Sequence, residues 1–104
     1  MENKPICCIS KKGSKIWKLN GRPHRLDGPA VQLYDGGEQW WVDGHLHRLD
    51  GPAIIKKDGV SEWYIMGLDI TFDIKKWAIQ HKIDLDNLTE VDKVLIKIVW
   101  SDYL

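Results

Sequence analysis

Cysteine is scarce: the 104-residue chain holds two, and Cys7 and Cys8 are neighbours. Adjacent side chains on an extended strand point to opposite faces and a vicinal bridge is strained, so no disulfide framework of the secreted mini-protein kind is expected. Long apolar runs are missing too. No stretch of 18 apolar residues occurs, which excludes a membrane-crossing helix. Residues 1–8 hold no apolar core before a small-residue cleavage site, so no secretory leader is expected. Charge of one sign is also lacking, because 15 Lys plus Arg balance 15 Asp plus Glu. That balance gives no support to a general phosphate-binding surface. Ser10, Ser14, Ser61 and Ser101 stand outside any Gly-x-Ser-x-Gly context, and no Gly-rich phosphate loop is present. Asp84 and Asp86 sit in what reads as a helix-linking loop rather than as a catalytic pair. The four histidines, His24, His45, His47 and His81, do not supply three or four ligands around one point. No enzyme activity, metal or cofactor is therefore expected.

What is present is aromatic and periodic. Hydrophobic residues make up 43% and charged residues 29% of the chain, enough for one modest core. Six tryptophans are the compositional outlier. His24-Arg25-Leu26-Asp27-Gly28-Pro29-Ala30 returns 23 residues later as His47-Arg48-Leu49-Asp50-Gly51-Pro52-Ala53. The same offset links Trp17, Trp40 and Trp63, then Gly13, Gly36 and Gly59, then Gly21, Gly44 and Gly67. Fixed-period self-similarity is the mark of a repeat architecture. Three units fill about residues 5–67, the first of them degenerate.

Within a unit, Lys12-Gly13, Asp35-Gly36-Gly37 and Asp58-Gly59 read as hairpin turns, since glycine takes the positive φ that such turns demand. Asn20-Gly21, Asp43-Gly44 and Met66-Gly67 mark a second class of turn, and Asp-Gly-Pro a third. The runs between them are short and rich in Ile, Val, Trp and Tyr, which predicts strands near 6–11, 14–19, 30–34, 38–43, 53–57 and 61–66. Alternation places Trp17, Trp40 and Trp63 on one face with Leu19, Val42 and Ile65, the expected core face, with Trp40 the most enclosed. Trp41, Tyr64 and Lys18 fall on the other face.

Past Gly67 the period becomes helical. Thr71 can cap a helix carrying Ile74, Trp77, Ala78 and His81. A second helix starts after Asn87 or Thr89, with Glu90 or Asp92 as capping-box partner, and Val91, Val94, Leu95 and Ile98 follow at helical spacing. The expected fold is α+β: an antiparallel meander of three repeated β-hairpins (1–69) with a C-terminal helical pair (70–104) packed on the tryptophan face. A homodimer through that face is the alternative cover.

The unit Trp-x-x-x-Gly-x-x-His-Arg-x-Asp-Gly-Pro-Ala resembles short repeats in bacteriophage and large-virus proteins, and more distantly MORN repeats, over residues 13–67. MORN likeness implies a single-layer sheet used for protein or lipid contacts. Phage likeness implies a small protein of the host cytoplasm that acts on a host or defence protein. The repeated His24, Arg25, Asp27, Gly28 and Pro29, with His47, Arg48, Asp50, Gly51 and Pro52, read as scaffold, because catalysis rarely needs its group twice. The Arg–Asp pairs and loop carbonyls are their expected partners, and the Asp side chains are expected to accept loop N–H bonds. Trp41, Tyr64, Tyr34 and Lys18 are the expected protein-binding patch, rimmed by Gln39, Lys57 and Glu62. The alternative function is nucleic-acid binding through Lys4, Lys11, Lys12, Lys15, Lys18, Arg22 and Arg25 with exposed aromatics to stack on bases.

Overall fold

The turn chemistry sets the strand boundaries. In the computed structural model, which describes residues 4–104, Gly13, Gly36 and Gly59 all have φ between 90° and 99°. Asn20, Asp43 and Met66 are also left-handed, at φ 53°, 51° and 47°, each followed by a positive-φ glycine. A Met in that region is strained, and Gly67 beside it completes the tight turn. Residues 1–3, which entered the reading of the leader, lie outside the described residues.

Strand β1 (Ile6–Ile9) pairs with β2 (Lys15–Leu19), and β3 (Arg22–Pro23) folds back on the end of β2. Next come β4 (Val31–Gln32), β5 (Glu38–Gln39), β6 (Trp41–Val42) and β7 (His45–Leu46). The last strands are β8 (Ile54–Ile55), β9 (Ser61–Glu62), β10 (Tyr64–Ile65) and β11 (Leu68–Asp69). All pairings are antiparallel. One sheet runs β1-β2-β4-β5-β8-β9 with β3 attached to β2, while β6-β7 and β10-β11 form two small sheets. Three strands, β3, β7 and β11, stand where the sequence suggested only turns.

The expected continuous strands over 38–43 and 61–66 break at Trp40 and Trp63. The chain changes neighbours at these residues. Trp40 donates its N–H to the Ala53 carbonyl (2.7 Å) and its carbonyl accepts from His47 N–H (3.0 Å). The equivalent bonds in the preceding hairpin join Trp17 to Ala30 (2.8 Å) and His24 to Trp17 (2.9 Å). Because regular pairing lapses at the tryptophan, strict alternation does not carry through it.

Helix α1 (Thr71–His81) follows β11, and α2 (Glu90–Val99) follows a short loop, ending in a 3-10 turn at Ser101–Tyr103. Thr71 is not the cap of α1; Ile70 holds that position without a side-chain bond. The Thr71 hydroxyl instead accepts from Trp63 N–H (2.9 Å). For α2 the structure selects Thr89 with Asp92: each side chain accepts the other's backbone N–H, a complete capping box.

The buried cluster comprises Trp63, Ile65, Ile70, Ile74, Ile96 and Trp100, with Leu49, Trp77, Leu85 and Leu88 packed against it. It joins β10, α1 and α2 residues at the C-terminal end of the molecule, a slab 43 × 34 × 22 Å. This corrects two expectations. Trp17 and Trp40 lie outside the cluster, and Trp63 rather than Trp40 is the enclosed tryptophan, at 2% exposure. The expected core stripe of α2 is also turned outward: Val91, Val94, Leu95 and Ile98 are exposed, and Ile96 is buried instead. Ile96 and Trp100, one turn apart, present the bulkier pair, and Trp100 meets Trp77 edge-on at 5.1 Å. Among the described residues no helix is long and apolar enough to cross a membrane.

Candidate functional site

The polar residues of the repeated loops are engaged with their own loops. The Arg25 guanidinium lies 4.0 Å from the centroid of the Trp17 ring, and that of Arg48 lies 3.8 Å from Trp40. Arg25 Nε donates to Asp27 Oδ1 and Arg48 Nε to Asp50 Oδ1, both at 3.0 Å. The second donor of each fork reaches the Pro29 carbonyl (3.2 Å) or the Pro52 carbonyl (3.1 Å). The expected Arg–Asp pairs and loop-carbonyl bonds are thus both present, and the aspartates accept from arginine rather than from the loop N–H groups that were also expected. The guanidinium lies close over each loop glycine: a β-carbon on Gly51 would stand 2.6 Å from Arg48 Cζ and would displace it, and one on Gly28 would stand 3.3 Å from Arg25 Cζ, a tight contact.

The histidines connect one hairpin to the next. Asp43 N–H donates to His24 Nδ1 and Met66 N–H to His47 Nδ1, both at 3.0 Å. A ring that accepts at Nδ1 is neutral and carries its proton on Nε2. The Asp43 carboxylate lies 3.3 Å from the same His24 nitrogen and could accept from it only if that nitrogen carried a proton. Burial holds His47 below the usual histidine range.

The expected binding patch is divided by the fold. Lys18, Trp41 and Tyr64 lie on β2, β6 and β10, at matching positions of successive hairpins. Tyr34 lies instead at the β4–β5 hairpin tip, where Lys12 Nζ sits 5.2 Å from its ring centroid. Trp41 and Tyr64 are half-buried, and each is fixed by the residue two places before it. Trp41 Nε1 donates to Gln39 Oε1 (2.9 Å), and the Tyr64 hydroxyl makes a long contact with Glu62 Oε1 (3.4 Å). Lys56 Nζ closes on the other Glu62 oxygen at 3.0 Å. Partial desolvation, then the negative charges of Asp69 and Glu62, raise the Tyr64 phenol above its ordinary range. The hydrogen bond to Glu62 raises Lys56. Tyr64 is therefore a neutral hydrogen-bonding ring and Lys56 a fixed cation at neutral pH.

A hollow of about 900 Å³ lies elsewhere, between the third hairpin, α1 and the loop after it, and Arg48, Asp50, Trp63, Lys75 and Asp84 are among its lining residues. It is open and mixed in charge. Among the described residues no group of three or more His, Cys, Asp or Glu side chains could hold a metal ion. Cys7 and Cys8 are both exposed free thiols. Sequence reasoning did not foresee the arginine–tryptophan stacking, although a signal for it exists. Thr71 and Ile74 replace Arg and Gly together in the third unit, as expected if each is needed only with the other. Comparison of the chain with protein-family models, curated proteins and solved structures finds no match.

Proposed function

We propose that this chain is a small non-enzymatic protein-binding module. In this reading three 23-residue hairpin units form the scaffold and the helical pair caps the last of them. The observation that carries it is a division of labour among side chains. The repeated His, Arg, Asp and Gly residues are consumed by contacts within and between hairpins. Trp41 and Tyr64, on adjacent hairpins, keep half-exposed rings; Gln39 holds the Trp41 N–H, and the Tyr64 hydroxyl lies in long contact with Glu62. Rigid aromatic rings with little rotamer freedom left to lose are the usual anchors of protein interfaces. Lys18 extends the column on the neighbouring hairpin.

Resemblance of the His-Arg-x-Asp-Gly-Pro-Ala unit to phage and large-virus repeats supports a host or defence protein as the target, met in the host cytoplasm. Of the early basic cluster, Arg25 is stacked on Trp17 and Lys12 on Tyr34, which leaves fewer free cations for a nucleic-acid backbone.

The test is affinity capture from host lysate by the tagged protein and by Trp41→Ala, each with and without nuclease. One polypeptide retained after nuclease, and lost by Trp41→Ala at unchanged melting temperature, supports the module. A hot spot of this kind is worth about 2 kcal/mol or more. Capture that vanishes with nuclease transfers the function to nucleic acid. A large melting shift with unchanged capture makes Trp41 a packing residue and removes the patch.

A further inference from the structure

Helix α2 carries a second apolar face that the monomer leaves in water. Val91, Val94, Leu95 and Ile98 are 68%, 54%, 40% and 64% exposed. At 100° per residue they occupy an arc of about 100°, and buried Ile96 lies about 150° from its centre. The helix therefore buries one apolar side, Ile96 and the following Trp100, against Trp63 and Trp77 and presents another, at the 3-4 spacing of a helix-pairing seam, directly outward. Val99 and, beyond the helix, Tyr103 and Leu104 extend this surface, at 46%, 46% and 63% exposure.

We infer that this face pairs with α2 of a second copy of the same chain, the two helices antiparallel about a twofold axis. Charge placement supplies the argument. Glu90 and Lys97 lie on one flank of the stripe, two turns apart and about 20° from each other around the helix. A twofold axis across an antiparallel pair keeps each flank on its own side and reverses its direction. Glu90, whose carboxylate accepts from Lys93 of its own helix at 3.2 Å and is otherwise open to solvent, then faces Lys97 of the other copy, twice over, and the helix dipoles oppose. Val91 is set against Ile98, and Val94 against Leu95. A parallel pair would instead bring Glu90 towards the flank of Asp92, acid against acid.

The charge count argues against a lipid surface as the occupant. Glu90 and Asp92 cancel Lys93 and Lys97, whereas interfacial helices on anionic membranes carry a basic polar face. Area agrees with a modest dimer. With about 100 Å² for a fully exposed aliphatic side chain, the four stripe residues of two copies would withdraw roughly 450 Å² of apolar surface from water, and roughly 750 Å² if Val99, Tyr103 and Leu104 are covered with them. With a polar rim, the total passes about 1,000 Å², the lower bound for a specific interface. This surface uses none of the residues of the Trp41–Tyr64 column, so either assignment can fail without the other.

The experiment is sedimentation equilibrium of the full chain from about 10 µM to about 1 mM, the range that detects a weak dimer. Wild type should shift from monomer to dimer across that range. Ile98→Lys should stay monomeric throughout with an unchanged circular-dichroism melt at low concentration, because Ile98 is exposed in a single copy. Glu90→Lys and Lys97→Glu should each weaken the dimer several-fold, and the double variant should restore it. A wild type that remains monomeric at about 1 mM, a dimer indifferent to Ile98→Lys, or single charge variants without effect would each overturn the proposal. So would co-pelleting of the wild type with phosphatidylserine vesicles in place of self-association.

Discussion

Arg48 covers Trp40: the guanidinium sits 3.8 Å from the ring centroid and is held there by Asp50 and the Pro52 carbonyl. Arg25 and Trp17 repeat the arrangement in the preceding hairpin. Sheets this thin cannot bury both faces of every tryptophan under aliphatic side chains. A planar cation with a long aliphatic stem shields the ring from water and still meets solvent at its edge.

Removing that cover should be costly. Arg48→Ala is expected to destabilise the fold by about 2 kcal/mol, combining a partly desolvated cation–π contact with two charge-assisted hydrogen bonds. Arg48→Lys should recover less than half, because an ammonium cannot stack and bond in two directions at once. Urea denaturation followed by tryptophan fluorescence measures both, and a red-shifted native emission in Arg48→Ala would report the uncovered ring.

The two loop glycines should differ in tolerance. A methyl on Gly51 meets the Arg48 guanidinium at 2.6 Å, whereas on Gly28 it meets Arg25 at 3.3 Å. Arginine is flexible enough to move, so the cost is the lost stacking rather than a hard clash. Gly51→Ala should therefore cost about 1 kcal/mol and Gly28→Ala clearly less. Comparing the two midpoints in one denaturation series checks the order.

Acid should loosen the link between the second and third hairpins. Burial lowers the His47 pKa, so the unfolded chain binds this proton more readily than the folded one. The stability contributed by neutral His47 is full above the unfolded value, about 6.5. It is lost as pH falls from there through the lower folded value. Asp69 and Asp84 are held below the ordinary carboxylate range by their hydrogen bonds to Thr71 and Asn87, so their contribution is lost only at more acid pH. Melting temperatures between pH 7.5 and pH 5 should fall for wild type. They should fall less for His47→Asn, whose amide oxygen can accept the Met66 N–H without titrating.

Trp63 and Trp40 should also part company. Trp63→Ala empties a site in the buried cluster and should cost about 3–5 kcal/mol, a large fraction of the total stability of a domain this size. Trp40→Ala removes a half-exposed ring and should cost distinctly less. Equal losses would mean that the arginine cover is as good as a core.

Turn positions, and with them where strands begin and end but not their breaks at Trp40 and Trp63, were legible because Gly13, Gly36 and Gly59, and the pairs ending in Gly21, Gly44 and Gly67, meet a local demand for positive φ. The bond partners of Arg25 and Arg48 were half legible, since opposite charges two residues apart suggest a pair but not a ring beneath it. The direction of α2 was not legible. Its sequence has apolar residues on two sides, and only packing against Trp63 and Trp77 decides that Ile96 and Trp100 go inward. The third unit misled for a related reason: Ile70 and Thr71 replace His and Arg, and the apolar cover they allow appears only once α1 is in place. The Trp41–Tyr64 column was foreseen as a face, but Tyr34, expected to join it across the hairpin, lies at the β4–β5 tip beside Lys12.

The hydrogen bonds that tie hairpin to hairpin are short in sequence: Gly44 reaches back to Pro23 and Gly67 to Leu46, 21 positions each. Such a chain has little loop entropy to overcome at any one step, so its order can spread as a zipper advances, tooth by tooth, from wherever it first closes. The Trp63 cluster is where closing is most rewarded. Strand β1, whose four residues are exposed and which among the described residues pairs only with β2, is the opposite end of that zipper, the place where the described fold frays first and where native-state hydrogen exchange runs fastest.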